Sequence, residues 1–273
     1  MDYEKFYNLS DAPFGSSPDE RFYYDSPQHS RVIVKLIHVA EAMRGLGILL
    51  GDIGTGKTTI ARRMLDIMSA KEEFEVAMLV IIHSALQPLW LIKKVAEKLG
   101  VEGIEGKVDK DTLISKLYER LVDIYEQNKK AVVMIDEANM LERKDIMEEM
   151  RGLLNIEFPE GHLITFLLFG LPELDNNLRL DMPLYERIGM KCRLETLTAE
   201  STKGYIQHRL SVVGRNNNIF TDPAIKVIYK FSKGKPRLIN TICDNALLEG
   251  FLTKKNIIDE AVVEEVVGDL GIM

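Results

Sequence analysis

A glycine-rich segment at residues 51–58 constrains the fold of this chain more than any other feature. It has the pattern G-x-x-x-x-G-K-[ST], whose backbone N–H groups surround nucleotide phosphates. An apolar run at 46–50, typical of a buried strand, precedes it, and a stretch with the apolar spacing of a helix follows it. This order places a helix N-terminus, with its partial positive charge, beside the phosphates. The sequence therefore predicts a nucleotide-binding α/β domain.

The residues of this loop have separate predicted tasks. Glycines let successive backbone N–H groups turn inward around the phosphates. Lys57 is expected to reach the β- and γ-phosphates of ATP, and the Thr58 hydroxyl is expected to ligate Mg²⁺. The predicted nucleotide contacts in this segment are Gly51, Asp52, Ile53, Gly54, Thr55, Gly56, Lys57, Thr58 and Thr59.

A pair of adjacent carboxylates forms the second half of the predicted site. Asp136 and Glu137 directly follow an apolar run at 131–135, and ligands of open α/β sheets bind at the carboxyl ends of the strands. Asp136 is expected to hold Mg²⁺ through its water shell, and Glu137 to orient the water that attacks the γ-phosphate. An acidic turn without a catalytic task is the alternative. The phosphate loop in the same chain weighs against it.

The order of strands and helices divides the chain into two domains. Up to residue 197, helical patterns alternate with apolar runs, which predicts a five-stranded parallel sheet flanked by helices. The predicted strands are 46–50, 75–82, 131–135, 163–169 and 190–194. After that point only helical patterns follow. Asp111 is expected to cap a long helix in the first domain, and Asp222 to cap a helix in the second.

The predicted boundaries give an N-terminal segment at 1–30, an α/β nucleotide-binding domain at 31–197 and a small all-helical domain at 198–273. The N-terminal segment is rich in aromatic residues and proline. Because so many aromatic side chains need partners to pack against, the segment is not a disordered tail. We expect it to pack on the nucleotide-binding domain.

Composition excludes several classes of protein. No apolar run approaches the length that spans a bilayer, and the start of the chain lacks the basic and apolar regions of a signal peptide. Two cysteines form no disulfide framework, and five histidines show no metal-ligand spacing, so we expect no structural zinc. A net charge of −7 argues mildly against wrapping nucleic acid. These features predict a cytoplasmic protein.

Several segments together resemble the AAA+ ATPases, and more narrowly those of the general secretion pathway A type, often called the ExeA family. The matching segments occur in the same order over nearly the whole chain. They are Phe6-Tyr7-x-Leu9-x-x-x-Pro13-Phe14, Pro18-Asp19-x-x-Phe22, Phe169-Gly170-Leu171-Pro172-Glu173-Leu174, Tyr205-Ile206-x-His208-Arg209-Leu210 and Gly234-Lys235-Pro236-Arg237-Leu238-Ile239-Asn240. The resemblance implies a P-loop NTPase fold of AAA+ type, followed by a helical lid domain.

The resemblance also implies roles for residues outside the phosphate loop. Arg237, next to Pro236, is similar to the sensor-2 arginine that touches nucleotide phosphate from the lid. Arg187 is similar to the arginine finger that acts on the nucleotide of a neighbouring subunit, with Lys191 as a lesser candidate. Such a finger requires a homo-oligomer, either a ring or a filament. An arginine that faces solvent is the alternative interpretation for both positions.

The chain departs from the family pattern at two points, residue 171 and the length of the chain. Leu171 stands where members commonly have a polar sensor-1 residue, and leucine cannot hydrogen-bond to water or phosphate, so hydrolysis is expected to be slow. His83 is not such a departure, since it follows the second strand, where relatives can carry a polar residue that restrains the catalytic glutamate; a loop histidine with satisfied hydrogen bonds is the favoured interpretation. The chain also ends after the helical domain, where secretion-pathway members can continue. It is either an excised domain or a stand-alone relative.

The first functional hypothesis is an ATPase that couples ATP-driven self-assembly to assembly or remodelling of a protein partner in an envelope, secretion or export system. This places it in the cytoplasm or peripherally at the inner membrane, next to a membrane-associated partner. The alternative is a DNA-associated regulator of transposition that forms ATP-dependent filaments. A salt-dependent gel shift with duplex DNA and ATP separates the two. A nucleotide-gated scaffold without turnover is the third hypothesis, which Leu171 makes plausible.

Overall fold

The computed structural model describes residues 3–15, 19–83, 86–106, 108–158 and 161–272. It contains two compact units. The α/β unit comprises Pro27–Ile53 and Lys57–Leu194. The helical unit comprises the described residues of Met1–Ser26, Gly54–Gly56 and Glu195–Met273. In the described residues, no helix is both long enough and apolar enough to cross a membrane.

The α/β unit is built on a five-stranded parallel sheet, as predicted. The strands are β1 Leu46–Gly51, β2 Phe74–Val80, β3 Lys130–Asp136, β4 Glu157–Phe158, β5 Gly161–His162, β6 Ile164–Gly170 and β7 Ile188–Leu194. The sheet has the order β2-β3-β6-β1-β7, with every pair parallel, and β4 and β5 form a separate antiparallel pair. Ile48, Val133 and Phe166 in the three central strands are completely buried. This burial on both faces explains why those strands are nearly continuous apolar runs.

Helices flank this sheet and form most of the second unit. They are α1 Tyr3–Phe6, α2 Pro27–Glu41, α3 Lys57–Ser69, α4 Pro88–Lys98, α5 Lys110–Glu126, α6 Lys144–Leu154, α7 Glu173–Leu178, α8 Met182–Tyr185, α9 Ala199–Val212, α10 Asp222–Ser232, α11 Pro236–Leu252 and α12 Glu260–Asp269. Short 3₁₀ helices occupy Glu20–Phe22 and Ala138–Met140.

Two predicted helix caps are wrong by one or two residues. The Asp109 carboxylate, not that of Asp111, accepts the Thr112 N–H at 2.9 Å, so α5 begins at Lys110. Thr221, not Asp222, caps α10 through its hydroxyl. In each case two side chains capable of capping lie close together, and the one in extended backbone just before the first turn serves as the cap.

The N-terminal segment differs most from expectation. We expected its aromatic residues to pack on the nucleotide-binding domain, but they lie in the core of the helical unit. Tyr7 and Phe14 are each 2% exposed there. The Phe14 ring meets the Phe220 ring edge-on at 6.1 Å, and the Tyr7 hydroxyl donates to the Lys255 carbonyl at 2.9 Å. Four helices bury little surface by themselves, so the segment completes their core.

A buried arginine fastens this segment to α9. Arg209 is 6% exposed, and its guanidinium donates to the carbonyls of Pro13 and Gly15 and to the Tyr205 hydroxyl. It also lies over the Phe22 ring, 4.6 Å from the ring centre. A charged group buried this deeply is stable only when its donors are satisfied. Here the N-terminal segment accepts two of the three hydrogen bonds and Tyr205 accepts the third.

We therefore expect Arg209→Met to lower the free energy of unfolding of the helical unit by about 1–3 kcal/mol, since the buried Pro13 carbonyl loses a charged donor, whereas the carbonyl of the exposed Gly15 can bind water instead. Amide hydrogen exchange of the 3–15 segment should accelerate in parallel. Arg21→Met is the matched control, because the Arg21 side chain is 59% exposed and solvent screens its ion pairs with Asp11 and Asp19. Equal effects of the two substitutions would contradict the fastening role.

Candidate nucleotide site

The phosphate loop connects the carboxyl end of β1 to the first residue of α3. Gly54 and Gly56 have φ values of 78° and 105°, in the left-handed region where side chains are disfavoured. Thr55 between them is 2% exposed. The two glycines therefore allow a loop conformation that would be strained with most other residues at these positions.

Lys57 is held at the start of α3 as a buried cation. It is 7% exposed, and its Nζ donates to the carbonyls of Gly51 at 2.9 Å and Asp52 at 3.1 Å. Burial lowers the pKa of the ammonium, while the carboxylates of Glu137, Asp136, Asp52 and Glu173 act in the opposite direction, with Glu137 the strongest. The lysine has only neutral carbonyls as hydrogen-bond partners in the described residues. Its charge is thus available to a phosphate group.

The two predicted Mg²⁺ ligands lie side by side. The Thr58 hydroxyl donates to Asp136 Oδ2 at 2.7 Å, although the two residues are 78 positions apart. Asp136 is 1% exposed, and its Oδ1 accepts the Glu137 N–H at 3.0 Å. Hard oxygen ligands next to a phosphate loop suit Mg²⁺, which usually takes its remaining ligands from water and phosphate. Two protein oxygens are therefore sufficient for such an ion.

Glu137 adopts a backbone conformation that is uncommon for a glutamate. Its φ and ψ are 54° and 35°, in the left-handed region, which costs about 1–2 kcal/mol for a residue other than glycine. Strain of this kind is concentrated at functional sites. Glu137 directly follows β3, and its half-buried carboxylate influences the pKa of Lys57 more than any other.

Asn139 is a residue of this site that the sequence did not single out. Its Oδ1 accepts the Leu171 N–H at 3.0 Å, and its carbonyl accepts from the Asn177 amide at 2.8 Å. A Cβ on Gly170 would lie 3.0 Å from the Asn139 backbone nitrogen, so glycine permits this close approach. Asn139 thus joins the carboxyl ends of β3 and β6. This contact exists only because β3 and β6 are neighbours in the sheet. No local sequence motif singles out the asparagine.

The interpretations of Leu171 and His83 stay predictions. The Leu171 side chain is half-buried, and only its backbone N–H takes part in the contact with Asn139. His83 is exposed, and no hydrogen bond to Glu137 is present in the described part of the chain.

Arg187 lies at the opposite edge of the sheet from the phosphate loop of its own chain. It immediately precedes β7, whose first residue Ile188 pairs with Leu46, the first residue of β1. The six residues of β1 then lead to the loop, which at ~3.3 Å per residue is about 20 Å away. The Arg187 side chain cannot span that distance. Its Nη1 is buried and has no hydrogen-bond partner in the described residues.

Lys191, the lesser candidate for a finger, already has partners. Its ammonium pairs with the Asp175 carboxylate and lies near the Tyr185 hydroxyl. Arg179 contacts the same two residues, donating to the Tyr185 hydroxyl at 2.6 Å. Lys191 is thus part of a surface cluster, which makes Arg187 the better candidate.

Pro236 and Arg237 begin α11 in the helical unit. Gly234, two residues earlier, has a φ of 71°, and a Cβ there would lie 1.9 Å from the Leu197 carbonyl oxygen, so only glycine fits. This turn directs the chain into α11, with Pro236 at its first residue. The Arg237 N–H donates to the Gly54 carbonyl at 3.3 Å, and its side chain is exposed. Contact between that side chain and nucleotide stays a prediction.

Comparison with known proteins agrees with this geometry. Residues 41–178, about half of the chain, match the family described as AAA domain. The chain is 32% identical over 255 residues to the general secretion pathway protein A of Aeromonas hydrophila. That match covers 91% of this chain but only 45% of the relative, so the chain spans less than half of that protein.

Solved structures share the fold at low sequence identity. Cdc6p from Pyrobaculum aerophilum has a TM-score of 0.73 at 17% identity, covering 96% of this chain and 71% of its own. The Aeropyrum pernix ORC2 protein has a TM-score of 0.67 at 17% identity, covering 94% and 71%. The RuvB branch migration motor of Thermotoga maritima has a TM-score of 0.55 at 18% identity, covering 88% and 69%. The predicted resemblance is confirmed, and the chain belongs to the AAA domain family of P-loop proteins.

Proposed function

We propose that this chain binds and hydrolyses ATP, and couples ATP-driven self-assembly to assembly or remodelling of a protein partner. The observation that carries the ATPase activity is the contact between Thr58 and Asp136, with Lys57 and Glu137 beside it. Such a set of side chains on the phosphate loop and the adjacent strand end is what phosphoryl transfer to water requires.

Each side chain has a task in the proposed reaction. Lys57 exchanges its bonds to loop carbonyls for bonds to the β- and γ-phosphates. Thr58 and Asp136 hold Mg²⁺, which supplies charge neutralisation on the phosphate oxygens when it is bound. Glu137 orients the attacking water and accepts its proton. Leu171 offers no polar group to assist, so we propose that turnover is slow.

The position of Arg187 supports the proposal of self-assembly. About 20 Å separates it from its own phosphate loop, so it can act on a nucleotide only in a second copy of the chain. There its guanidinium would stabilise charge that develops on the γ-phosphate. Such an arrangement makes ATP a ligand shared by two subunits, and it links assembly to hydrolysis.

The partner is proposed from the named relative. The name of this relative, general secretion pathway protein A, supports an envelope, secretion or export system as the setting. The 32% identity to it extends over nearly all of this chain. We propose a protein partner of that system, since the net charge of −7 weighs against DNA as the main partner.

Phosphate release measured over a wide dilution series tests this proposal. We expect the activity per subunit to rise with protein concentration, because dilute monomers lack the Arg187 of a neighbour. A constant activity per subunit would contradict the coupling to assembly. Absence of phosphate release at every concentration would contradict hydrolysis and favour a nucleotide-gated scaffold.

A further inference from the structure

Two segments of the helical unit carry opposite charges. Residues 223–243 contain five cations and no carboxylate, while residues 256–273 contain five carboxylates and no cation. The first segment covers most of α10 and the start of α11, and the second contains α12. Charge of one sign gathered on one surface orients and attracts a partner of the opposite sign. The net charge of −7 therefore conceals two surfaces of opposite sign.

The basic face of α10 consists of Lys226, Lys230 and Lys233. All three are exposed, and they follow one another at intervals of four and three residues, which places them on one side of the helix. The carboxylate one turn earlier, Asp222, already pairs with Lys203 at 2.6 Å. In the described residues none of the three lysines forms an ion pair. The buried residues of α10 lie on its other side and are Ala224, Ile225, Ile228 and Ser232.

The acidic face of α12 is formed by exposed carboxylates that have no ion pair in the part of the chain that the structure describes. They are Glu260, Glu264, Glu265 and Asp269. Asp259 is not part of this face, because it caps α12 and pairs with Lys255 at 3.3 Å. The buried residues of α12 are Val262, Val263, Val266 and Val267. The acidic side of the helix is therefore the side that faces away from the core.

The two charged faces do not compensate each other within one chain. Helices α10, α11 and α12 pack together with their buried sides in one core, so their charged sides point outward on different sides of the unit. Among the described residues no ion pair joins the two faces. Each face also contains like charges one helical turn apart, such as Lys226 with Lys230 and Glu260 with Glu264, and such pairs are destabilising. An oppositely charged partner would relieve this repulsion.

We propose that the basic face of α10 in one copy of the chain docks on the acidic face of α12 in a second copy. This inference rests on the self-assembly proposed above and names surfaces through which it occurs. The spacing agrees, because Lys226 and Lys230 are separated by the same rise of about 6 Å as Glu260 and Glu264. A second copy carries the complementary charges in equal density.

This contact has a direction and a dependence on salt. Because the faces lie on different sides of the unit, each copy meets one neighbour through α10 and another through α12. Such a contact closes into a ring or continues as a filament. Neither α10 nor α12, both described over their full length, exposes a large apolar side chain. The contact is therefore electrostatic, and assembly should weaken as salt screens the charges.

Charge reversal tests the contact, with sedimentation of the full chain in ATP and Mg²⁺ at low salt as the measurement. Lys226→Glu with Lys230→Glu reverses the basic face, and Glu264→Lys with Glu265→Lys reverses the acidic face. All four positions are exposed, so the fold is not at risk. Each double variant should raise the concentration needed for assembly at least about tenfold, because like charges then meet.

The matched control is Arg31→Glu with Lys98→Glu, which changes the net charge as much as the reversal of the basic face. Both residues are exposed in the α/β unit. This variant should assemble as wild type does. Binding of a fluorescent ATP analogue should be the same in every variant, since none of the substitutions touches the phosphate loop.

An equimolar mixture of the two reversed variants tests the pairing itself. In the mixture the reversed α10 of one variant meets the reversed α12 of the other, and the two unchanged faces also meet. Every such contact is attractive again, so assembly should recover at least about tenfold relative to either variant alone.

The possible failures are distinguishable. The proposal is overturned if wild type assembles and either reversed variant assembles equally well, if the control loses as much assembly, or if the mixture does not recover. Wild type that stays monomeric with ATP would contradict the proposed self-assembly itself, and this contact with it. Duplex DNA binding that is lost on reversal of α10 while assembly persists would make nucleic acid the partner of the basic face, and the proposal would be wrong.

Discussion

Replacing Glu137 with glutamine is expected to reduce steady-state phosphate release by about 10²–10⁴-fold, the usual contribution of a general base. Glutamine keeps the size of the side chain but cannot accept the proton of the attacking water. The contact that fixes this turn is made by the backbone N–H of residue 137 with Asp136, so the substitution leaves it in place. ATP binding should persist, because Lys57, Thr58 and the loop are unchanged.

A fluorescent ATP analogue measures binding, and a phosphate-release assay measures turnover in the same preparation. Glu173→Gln is the matched control, because Glu173 is an exposed carboxylate that also acts on the pKa of Lys57. It should retain most of the turnover. If Glu137→Gln hydrolyses ATP as fast as wild type, the assignment of the base is wrong. Loss of binding in this variant would instead indicate damage to the site.

The local parts of the site could be predicted from the sequence. The loop around Lys57 and the carboxylates at the end of β3 are encoded in short continuous segments, and the alternation of apolar runs predicts where they meet. The contact between Thr58 and Asp136 then follows from the parallel sheet, since both lie at its carboxyl edge. These features depend on periodicity and order, which a single sequence contains.

The features that the sequence did not predict depend on contacts between distant segments. Asn139 acts through the backbone of Leu171, and no periodic pattern reports such a pairing. Arg209 binds carbonyls nearly two hundred positions away, and this explains why the N-terminal segment joins the helical unit. The aromatic residues indicated a packed segment but could not indicate which of two apolar surfaces it covers.

Replacing Arg187 with alanine is expected to lower ATP turnover by about 10³-fold at concentrations where the chain is assembled, as for other arginine fingers. At dilutions where only monomers exist, the same variant should differ little from wild type, because Arg187 cannot reach its own phosphate loop. Lys191→Ala is the matched control, since that ammonium already pairs with Asp175. An equal loss in monomers would contradict a role between subunits.

Mixing two inactive variants distinguishes a shared site from a site within one chain. Glu137→Gln subunits retain Arg187, and Arg187→Ala subunits retain Glu137. Where a Glu137→Gln subunit places its Arg187 at the nucleotide of an Arg187→Ala subunit, every proposed catalytic group is present. The mixture should therefore hydrolyse ATP faster than either variant alone at the same total concentration. If both groups acted within one chain, no such contact could be complete, and the mixture would stay as inactive as its components.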